Sequence, residues 1–256
     1  RLDHMNKVNF IFLILIFAFI SGCKTTGEKV FSGSHGKFLY TDNDWNLDFY
    51  DNCGMPKSSS VKWIKGTKNN FIRFQLENKD YGKCSTDKKP RHSAPYWERA
   101  ELKQKTILSR NKKYELSFNV RFVEGFLMNR ETFFQMHSYK SPCNAGPPLM
   151  LKISNEKLIV ATRGRNSSAH RTNYTKISLL DLIGKWNTFR IIFDLSQKPT
   201  LSLNLNGKQI ISNRTFGIKK CGAPHFKFGI YRPGNLRKKN LRSVVDFDKI
   251  ILKKID

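Results

Sequence analysis

The sequence predicts an all-β protein, a jelly-roll β-sandwich in which two sheets pack face to face. Short runs of alternating apolar and polar residues recur through most of the chain, as in strands with one buried face. Asn206-Gly207 lies between two such runs and is a strong hairpin signal, and Asn155-Glu156 marks a second tight turn. Only Ser178–Ile183 suggests a helical turn. A smaller sandwich with a disordered tail is the alternative arrangement.

The predicted strands follow one another at short intervals after residue 60, so we expect one domain over residues 37–256. In chain order they are Phe71–Leu76, Tyr96–Lys103, Tyr114–Val123, Thr132–His137, Leu149–Ser154, Leu158–Thr162, Trp186–Leu195, Thr200–Leu205, Lys208–Ile211, His225–Tyr231 and Val244–Leu252.

The composition supports a large core and leaves a strong positive charge. The 256 residues are 39% hydrophobic and 12% aromatic, which excludes wholesale disorder, and the chain is too short for a large multi-domain protein. Lys and Arg number 46 against 20 Asp and Glu, so the formal net charge is +26. This excess attracts polyanions such as nucleic acid, anionic membranes or acidic polysaccharides, although part of it is typical of scattered surface lysines.

The N-terminal segment predicts export. Lys7 precedes an apolar run over residues 8–20, which is too short for a comfortable membrane span. The run ends in Ser21-Gly22-Cys23, which resembles the bacterial lipobox, with Cys23 as the lipidated residue. We therefore predict a lipoprotein signal peptide at residues 1–22 and a tether at residues 23–36. An ordinary signal peptide with an incidental cysteine is the alternative.

An exported bacterial lipoprotein would reside in the outer membrane, the periplasm or at the cell surface. We expect it to touch the membrane only through its N-terminal lipid anchor and to be a monomer. Because an exported protein meets little nucleic acid, we expect an acidic polysaccharide to be the partner rather than nucleic acid.

Four cysteines remain if Cys23 carries lipid, and an even number in an oxidising compartment predicts disulfides. Three pairings are possible, of which we favour Cys53–Cys84 and Cys143–Cys221. The sequence contains no C-x-x-C pair, so the cysteine spacing does not indicate a zinc site. We expect no cofactor, and calcium, if present, would be structural, since no dense acidic loop indicates a site.

Two predicted strands each bury one apolar face and present chemistry-bearing side chains on the other, because alternate residues of a strand share a face. The strands are Thr132–His137 and Phe226–Tyr231. Their predicted outward residues are Phe133, Gln135, His137, Lys227, Gly229 and Tyr231.

A third strand places Trp97, Arg99, Glu101 and Lys103 on one face. Its opposite face is not uniformly apolar, because Glu98 would lie there beside apolar residues. We expect an ion pair between Arg99 and Glu101 to hold the guanidinium in place.

Three motifs in these strands resemble those of the jelly-roll polysaccharide lyases. Glu98–Leu102 contains R-x-E-L, Gln135–His137 is Q-x-H, and Lys227–Arg232 contains K-x-G-x-Y. The group includes alginate lyases and heparin lyase/glucuronan lyase-like enzymes. The Gly-Ile-Tyr-Arg ending and Pro147-Pro148-Leu149 are more similar to the second subgroup. The resemblance covers residues 60–253 and implies a concanavalin-like jelly roll with a concave substrate groove.

The resemblance implies β-elimination beside a uronic acid, in which the proton at C5 is removed and the oxygen at C4 is expelled. It makes Arg99 and Gln135 the candidate partners of the sugar carboxylate, His137 a neutralising group or base, and Tyr231 the proton shuttle. The candidate substrate-binding residues are Lys227, Glu101, Trp97 and Arg232. Alternation places Arg232 on the other face unless the strand ends there.

Simpler interpretations remain open. His137 can be interpreted as a hydrogen-bonded structural residue, Arg99 and Glu101 as a cross-strand salt bridge, and Tyr231 as aromatic covering. The basic stretches Arg163-Gly164-Arg165 and Arg237-Lys238-Lys239 are either solvated charge or an extension of an anionic-sugar groove.

Three other functions compete with lyase activity. A non-catalytic lectin-like module that binds acidic polysaccharide is the main alternative, and a binding module has no need of a proton shuttle. A glycoside hydrolase would need two positioned carboxylates, and the E-x-D-x-x-E strand pattern of laminarinase-like hydrolases is absent. An exported nucleic-acid binder would give no reason for the Q-x-H and K-x-G-x-Y motifs.

Overall fold

The computed structural model describes residues 49–51, 53–67, 70–90, 94–104, 108–123, 130–138, 146–163, 170–218, 224–234 and 242–255. The predicted signal peptide, Cys23, the tether and the predicted Cys143–Cys221 pair lie outside these residues. Within them, no helix has the length and apolar character needed to cross a bilayer.

Most of the described residues belong to β-strands. The strands are β1 Phe49–Tyr50, β2 Val61–Ile64, β3 Phe71–Leu76, β4 Trp97–Gln104, β5 Lys113–Phe122, β6 Glu131–His137, β7 Leu149–Ser154, β8 Lys157–Arg163, β9 His170–Ser178, β10 Trp186–Asp194, β11 Thr200–Leu205, β12 Lys208–Thr215, β13 His225–Pro233 and β14 Ser243–Ile255. Two 3₁₀ turns, Ser58–Ser60 and Leu179–Asp181, complete the elements, and the second confirms the predicted helical turn.

Two seven-stranded antiparallel sheets pack against each other, which confirms the predicted jelly-roll sandwich. The first sheet has the order β1-β4-β13-β6-β7-β8-β9, and the second has the order β12-β11-β10-β5-β14-β3-β2. In the first sheet β13 lies between β4 and β6, so three strands distant in sequence become neighbours. We call the side of the first sheet that is turned away from the second sheet the outer face.

Aromatic side chains fill the space between the sheets. Phe118 of β5 stacks on Phe189 of the same sheet with ring centroids 5.3 Å apart. It also meets Phe134 and Phe228 of the first sheet at 5.5 and 5.3 Å. Such pairs bury large apolar areas and fix which face of each strand points inward. In the first sheet, the polar residues that alternate with Phe134 and Phe228 are therefore directed to the outer face.

The predicted turns have the backbone that tight hairpins need. Asn206 and Gly207 have φ of 51° and 80°, and Asn155 and Glu156 have φ of 50° and 59°. Positive φ at both central residues is the type I′ geometry, whose twist matches that of the flanking strands.

A bulge in β6 corrects one prediction. Phe133 does not share a face with Gln135 and His137, because the pairing of β6 with β7 shifts between Thr132 and Phe134. Phe133 instead packs inward, with its ring centroid 5.0 Å from that of Phe122. The extra residue lets two successive phenylalanines enter the core, while Gln135 and His137 keep their outward direction.

Arg232 corrects a second prediction, because it lies inside the sandwich and not in a substrate site. Its side chain is 0% exposed and donates to Glu98, Glu131 and Ser243. Arg232 is paired with Glu98 across β13 and β4, so both point inward. Glu98, the charged residue on the inner face of β4, therefore belongs to a buried ionic cluster with Arg232.

We expect this cluster to make stability depend on pH. Two carboxylates share one guanidinium, and burial raises the pKa of Glu131 from 4.5 to about 7, with Arg232 opposing the rise. A pKa raised by folding contributes stability that is complete below about pH 4.5 and is lost as the pH rises through about 7. In the wild type, the free energy of unfolding should therefore decrease by on the order of 3 kcal/mol between those pH values. Glu131→Gln should make this decrease smaller.

Urea denaturation at a series of pH values measures this effect. Glu115→Gln is the matched control, since an ion pair with Arg190 lowers the pKa of Glu115 instead of raising it. An unchanged pH dependence in Glu131→Gln would show that Glu131 is not the group whose titration changes the stability.

Candidate active site

The three strands that carry the sequence motifs lie side by side at the centre of the first sheet. Tyr231 of β13 is opposite Arg99 of β4 and Thr132 of β6. Further along β13, Lys227 is opposite Gln135. Residues directly opposite each other in antiparallel strands share a face. The motifs are thus brought together by strand order, not by closeness in sequence.

A continuous chain of polar contacts crosses the outer face. Arg99 donates from Nη1 to Glu101 Oε2 at 2.6 Å. Gln135 donates from Nε2 to Glu101 Oε1, and Gln135 Oε1 lies 3.0 Å from His137 Nε2. A guanidinium, a carboxylate, an amide and an imidazole are therefore linked in that order, and the predicted ion pair of Arg99 and Glu101 is present.

Tyr231 joins the same chain through its ring. The guanidinium carbon of Arg99 lies 4.3 Å from the Tyr231 ring centroid. The indole of Trp97 stacks on the ring at 4.8 Å with an interplanar angle of 20°. A cation over the ring and a stacked indole hold the phenol in one orientation. Tyr231 and His137 thus lie at the two ends of one cluster on one face of one sheet.

The glycine of the K-x-G-x-Y motif is required by the close approach of β4. Gly229 is opposite Glu101 and has a φ of 132°, a backbone conformation that side-chain-bearing residues rarely adopt. A Cβ at this position would overlap the carbonyl oxygen of Ala100. The glycine therefore lets β13 and β4 approach closely where Arg99, Glu101 and Tyr231 meet.

Asp87 is a site residue that the sequence analysis missed. Its carboxylate is fully buried and accepts two hydrogen bonds from Arg99, from Nε at 2.9 Å and from Nη2 at 2.8 Å. Asp87 lies in the loop between β3 and β4, shortly after Cys84, and the predicted disulfide Cys53–Cys84 ties this part of the loop to the segment after β1. The loop has no strand pattern and no motif, so only the structure reveals this contact.

Cys53, Cys84 and Asp87 are the one group of potential metal ligands within 4.8 Å of one another among the described residues. The two sulfur atoms are bonded to each other and Asp87 binds Arg99. Asp87 therefore acts as a structural clamp on Arg99, and both sulfur atoms are already engaged in the disulfide.

The family of the chain follows from comparison with known proteins. A family model described as polysaccharide lyase matches residues 42–250. The chain belongs to this family. It is a polysaccharide lyase, as the three motifs predicted, and the motif residues lie within the matched range.

Solved structures of lyases share the fold of this polysaccharide lyase at low sequence identity. An endo-β-1,4-glucuronan lyase from Trichoderma reesei is 12% identical, with a TM-score of 0.59 over 88% of this chain and 96% of that one. An alginate lyase from Pseudomonas aeruginosa is 15% identical, with a TM-score of 0.55 over 84% and 100%. An alginate lyase in complex with an alginate trisaccharide is 13% identical, with a TM-score of 0.51 over 84% and 96%. Among curated proteins, none matches the sequence.

The candidate site on the outer face contains buried basic side chains. Burial lowers the pKa of Lys227 from 10.5 to about 8, with Glu101 opposing this shift and Arg99 and Lys103 adding to it. Burial also lowers the pKa of His137 well below its usual value, and the charge of Lys227 adds to that effect. At neutral pH His137 is therefore a neutral imidazole and Lys227 is mainly an ammonium.

His225 is a second histidine that the sequence analysis left without a role. It is opposite His137 across β13 and β6, and the two rings stack with centroids 5.9 Å apart. Its proximity further lowers the pKa of His137. His225 therefore helps to keep the imidazole of His137 uncharged.

We expect the pKa of Lys227 to limit the affinity for an anionic substrate at alkaline pH. Below about pH 8 the ammonium attracts anions, and above it this attraction is lost. The KM of the wild type should rise between about pH 7 and pH 9, whereas Lys227→Arg should keep its KM nearly constant, since arginine stays charged. Equal pH dependence of KM in the two proteins would contradict this assignment.

Proposed function

We propose that this polysaccharide lyase cleaves a uronic-acid-containing polysaccharide by β-elimination on the outer face of the first sheet. The contact chain that runs from Tyr231 through Arg99, Glu101 and Gln135 to His137 carries the proposal. It combines donors for a carboxylate with two groups able to move protons. The reaction breaks the C5–H and C4–O bonds and forms a C4=C5 double bond, so it consumes no oxidant, reductant or water.

Neutralisation of the sugar carboxylate is the first requirement, because its negative charge makes the neighbouring C5 proton very weakly acidic. Arg99 donates three of its five N–H groups to Asp87 and Glu101. As far as the described contacts show, the other two can bind a ligand. Gln135 has a second N–H on Nε2, and Lys227 supplies an ammonium. Each donor aimed at the developing enediolate contributes about 3 kcal/mol to lowering the barrier.

The hydrogen-bond chain also fixes which nitrogen of His137 carries the proton. An ionised Glu101 can only accept, so it binds the NH₂ group of Gln135 and turns the amide oxygen toward His137. That oxygen can only accept as well, so His137 donates from Nε2. Its Nδ1 then carries the lone pair of a neutral imidazole. Glu101 thus acts as a positioning residue, and we assign His137 Nδ1 as the base that takes the C5 proton.

Tyr231 supplies the proton for the leaving oxygen at C4 in this mechanism. The phenol is held by Trp97 and Arg99, so its orientation does not depend on the substrate. After product release, His137 gives its extra proton to solvent and the phenolate of Tyr231 takes a proton from solvent. An alternative in which Tyr231 is both base and acid predicts that His137→Gln retains most of its kcat.

The ultraviolet absorbance of the unsaturated product tests the proposal on alginate, glucuronan and heparin. We expect absorbance to rise with at least one of these polymers. Binding of a polymer with no product on any of them would favour the lectin-like alternative. The two uronate-cleaving activities named for similar structures, on alginate and glucuronan, are the first to test.

Export as a lipoprotein remains a proposal that rests on the N-terminal segment. The Cys53–Cys84 disulfide supports an oxidising compartment, since disulfides persist outside the cytosol. Metabolic labelling with a radioactive fatty acid, lost in Cys23→Ser, tests the lipid anchor.

A further inference from the structure

Arg163 lies on the outer face of the first sheet, at the end of β8 and outside the cluster described above. Leu158 and Val160 of the same strand point into the core. Because side chains alternate, Ile159, Ala161 and Arg163 point to the opposite side. Arg163 thus shares a face with the catalytic cluster.

Strand pairing places Arg163 in the same transverse row as His137. Met136 is opposite Leu149 and Leu149 is opposite Thr162, so the next positions along are His137, Pro148 and Arg163. The backbone N–H of Arg163 donates to the carbonyl of Pro148 at 2.9 Å, which extends the pairing to this row. Two strand spacings separate the backbones of His137 and Arg163, about 10 Å.

The guanidinium of Arg163 is buried, and no carboxylate among the described residues forms an ion pair with it. The residue is 6% exposed, and its Nε and Nη1 have no hydrogen-bond partner within the described part of the chain. Arg99 and Arg232 are also buried, but each is paired with two carboxylates. Burial accordingly lowers the pKa of Arg163. An uncompensated buried charge is costly, and a bound ion is one of its few explanations.

We propose that Arg163 forms a distal subsite that binds an oxyanion, a carboxylate or a sulfate, on a sugar next to the one cleaved beside His137. Guanidinium groups bind such oxyanions through paired N–H donors, and a polymer that crosses the strands passes from His137 to Arg163. The inference rests on the proposed function to the extent that the anionic polymer lies on the outer face. It assigns Arg163 to binding and not to proton transfer.

Arg163→Met tests the subsite, since methionine keeps an unbranched apolar chain and removes the charge. We expect KM to rise roughly tenfold, with kcat changed by less than about twofold, because the contact is made equally in the ground and transition states. The melting temperature of the free variant should be unchanged or higher, since a buried unpaired charge is removed. Arg190→Met is the control, as it removes the same charge from an exposed ion pair on the second sheet.

The polymer used identifies the oxyanion. A rise in KM on alginate or glucuronan, which carry carboxylates only, assigns a carboxylate, whereas a rise confined to heparin assigns a sulfate. An unchanged KM on all three, or a melting temperature lowered as by loss of a structural ion pair, would overturn the subsite. If the wild type binds these polymers without cleaving them, affinity replaces KM as the readout. Weaker binding by Arg163→Met then supports the subsite even though the proposed lyase activity has failed.

Discussion

Replacing Tyr231 with phenylalanine is expected to lower kcat by roughly 10²–10⁴-fold, the range for loss of a general acid. The substitution removes only the hydroxyl, so the ring keeps its stacking with Trp97 and its contact with Arg99. KM and the melting temperature should therefore change little. Initial rates of product absorbance with a saturating polymer measure the effect.

Tyr81→Phe is the matched control for this experiment. Tyr81 is 41% exposed and lies outside the contact chain, with its ring edge against Tyr96. It should retain the wild-type kcat. Normal turnover in Tyr231→Phe would remove Tyr231 from the mechanism.

Replacing Asp87 with asparagine is expected to lower the free energy of unfolding by roughly 3–5 kcal/mol, the usual cost of breaking a buried ion pair. Asp87 is fully buried and binds Arg99 through both carboxylate oxygens. Its loss also frees the guanidinium that lies against Tyr231, so kcat should fall together with stability. Denaturant unfolding and initial rates measure the two effects.

Asp194→Asn provides the comparison, since Asp194 is partly exposed and lies 3.9 Å from Lys113. Its unfolding free energy should change by less than about 1 kcal/mol, as for other surface pairs. If Asp87→Asn is as stable and as active as Asp194→Asn, the clamp on Arg99 has no functional part.

Local sequence patterns predicted most of the strands and both hairpins. Phe71–Leu76, Leu149–Ser154 and Thr200–Leu205 end where they were predicted to end, because alternation and turn residues are local signals. β1 has only two residues, and β9, with the sequence His-Arg-Thr-Asn-Tyr-Thr-Lys-Ile-Ser, has little apolar alternation. These strands form through pairing with their neighbours, which the sequence does not display.

The residues of the candidate site could be predicted where they belong to a sequence motif. They could not be predicted where a contact joins residues that are far apart in sequence. Gln135, His137 and Tyr231 stood in recognisable motifs, whereas Asp87 reaches Arg99 from an irregular loop. The burial of Arg232 depends on Glu131, a residue 101 positions away in sequence. The inward turn of Phe133 depends on a pairing shift between strands. Such features arise from tertiary contacts, so alternation along one strand does not reveal them.

A crystal structure of Tyr231→Phe with a bound uronic-acid oligosaccharide tests the central claim most directly. We expect a sugar on the outer face, with its carboxylate within hydrogen-bond distance of Gln135, Arg99 or Lys227 and its C5 hydrogen directed at His137 Nδ1. An oligosaccharide bound elsewhere on the sandwich, or one whose C5 points away from both His137 and position 231, would contradict the account.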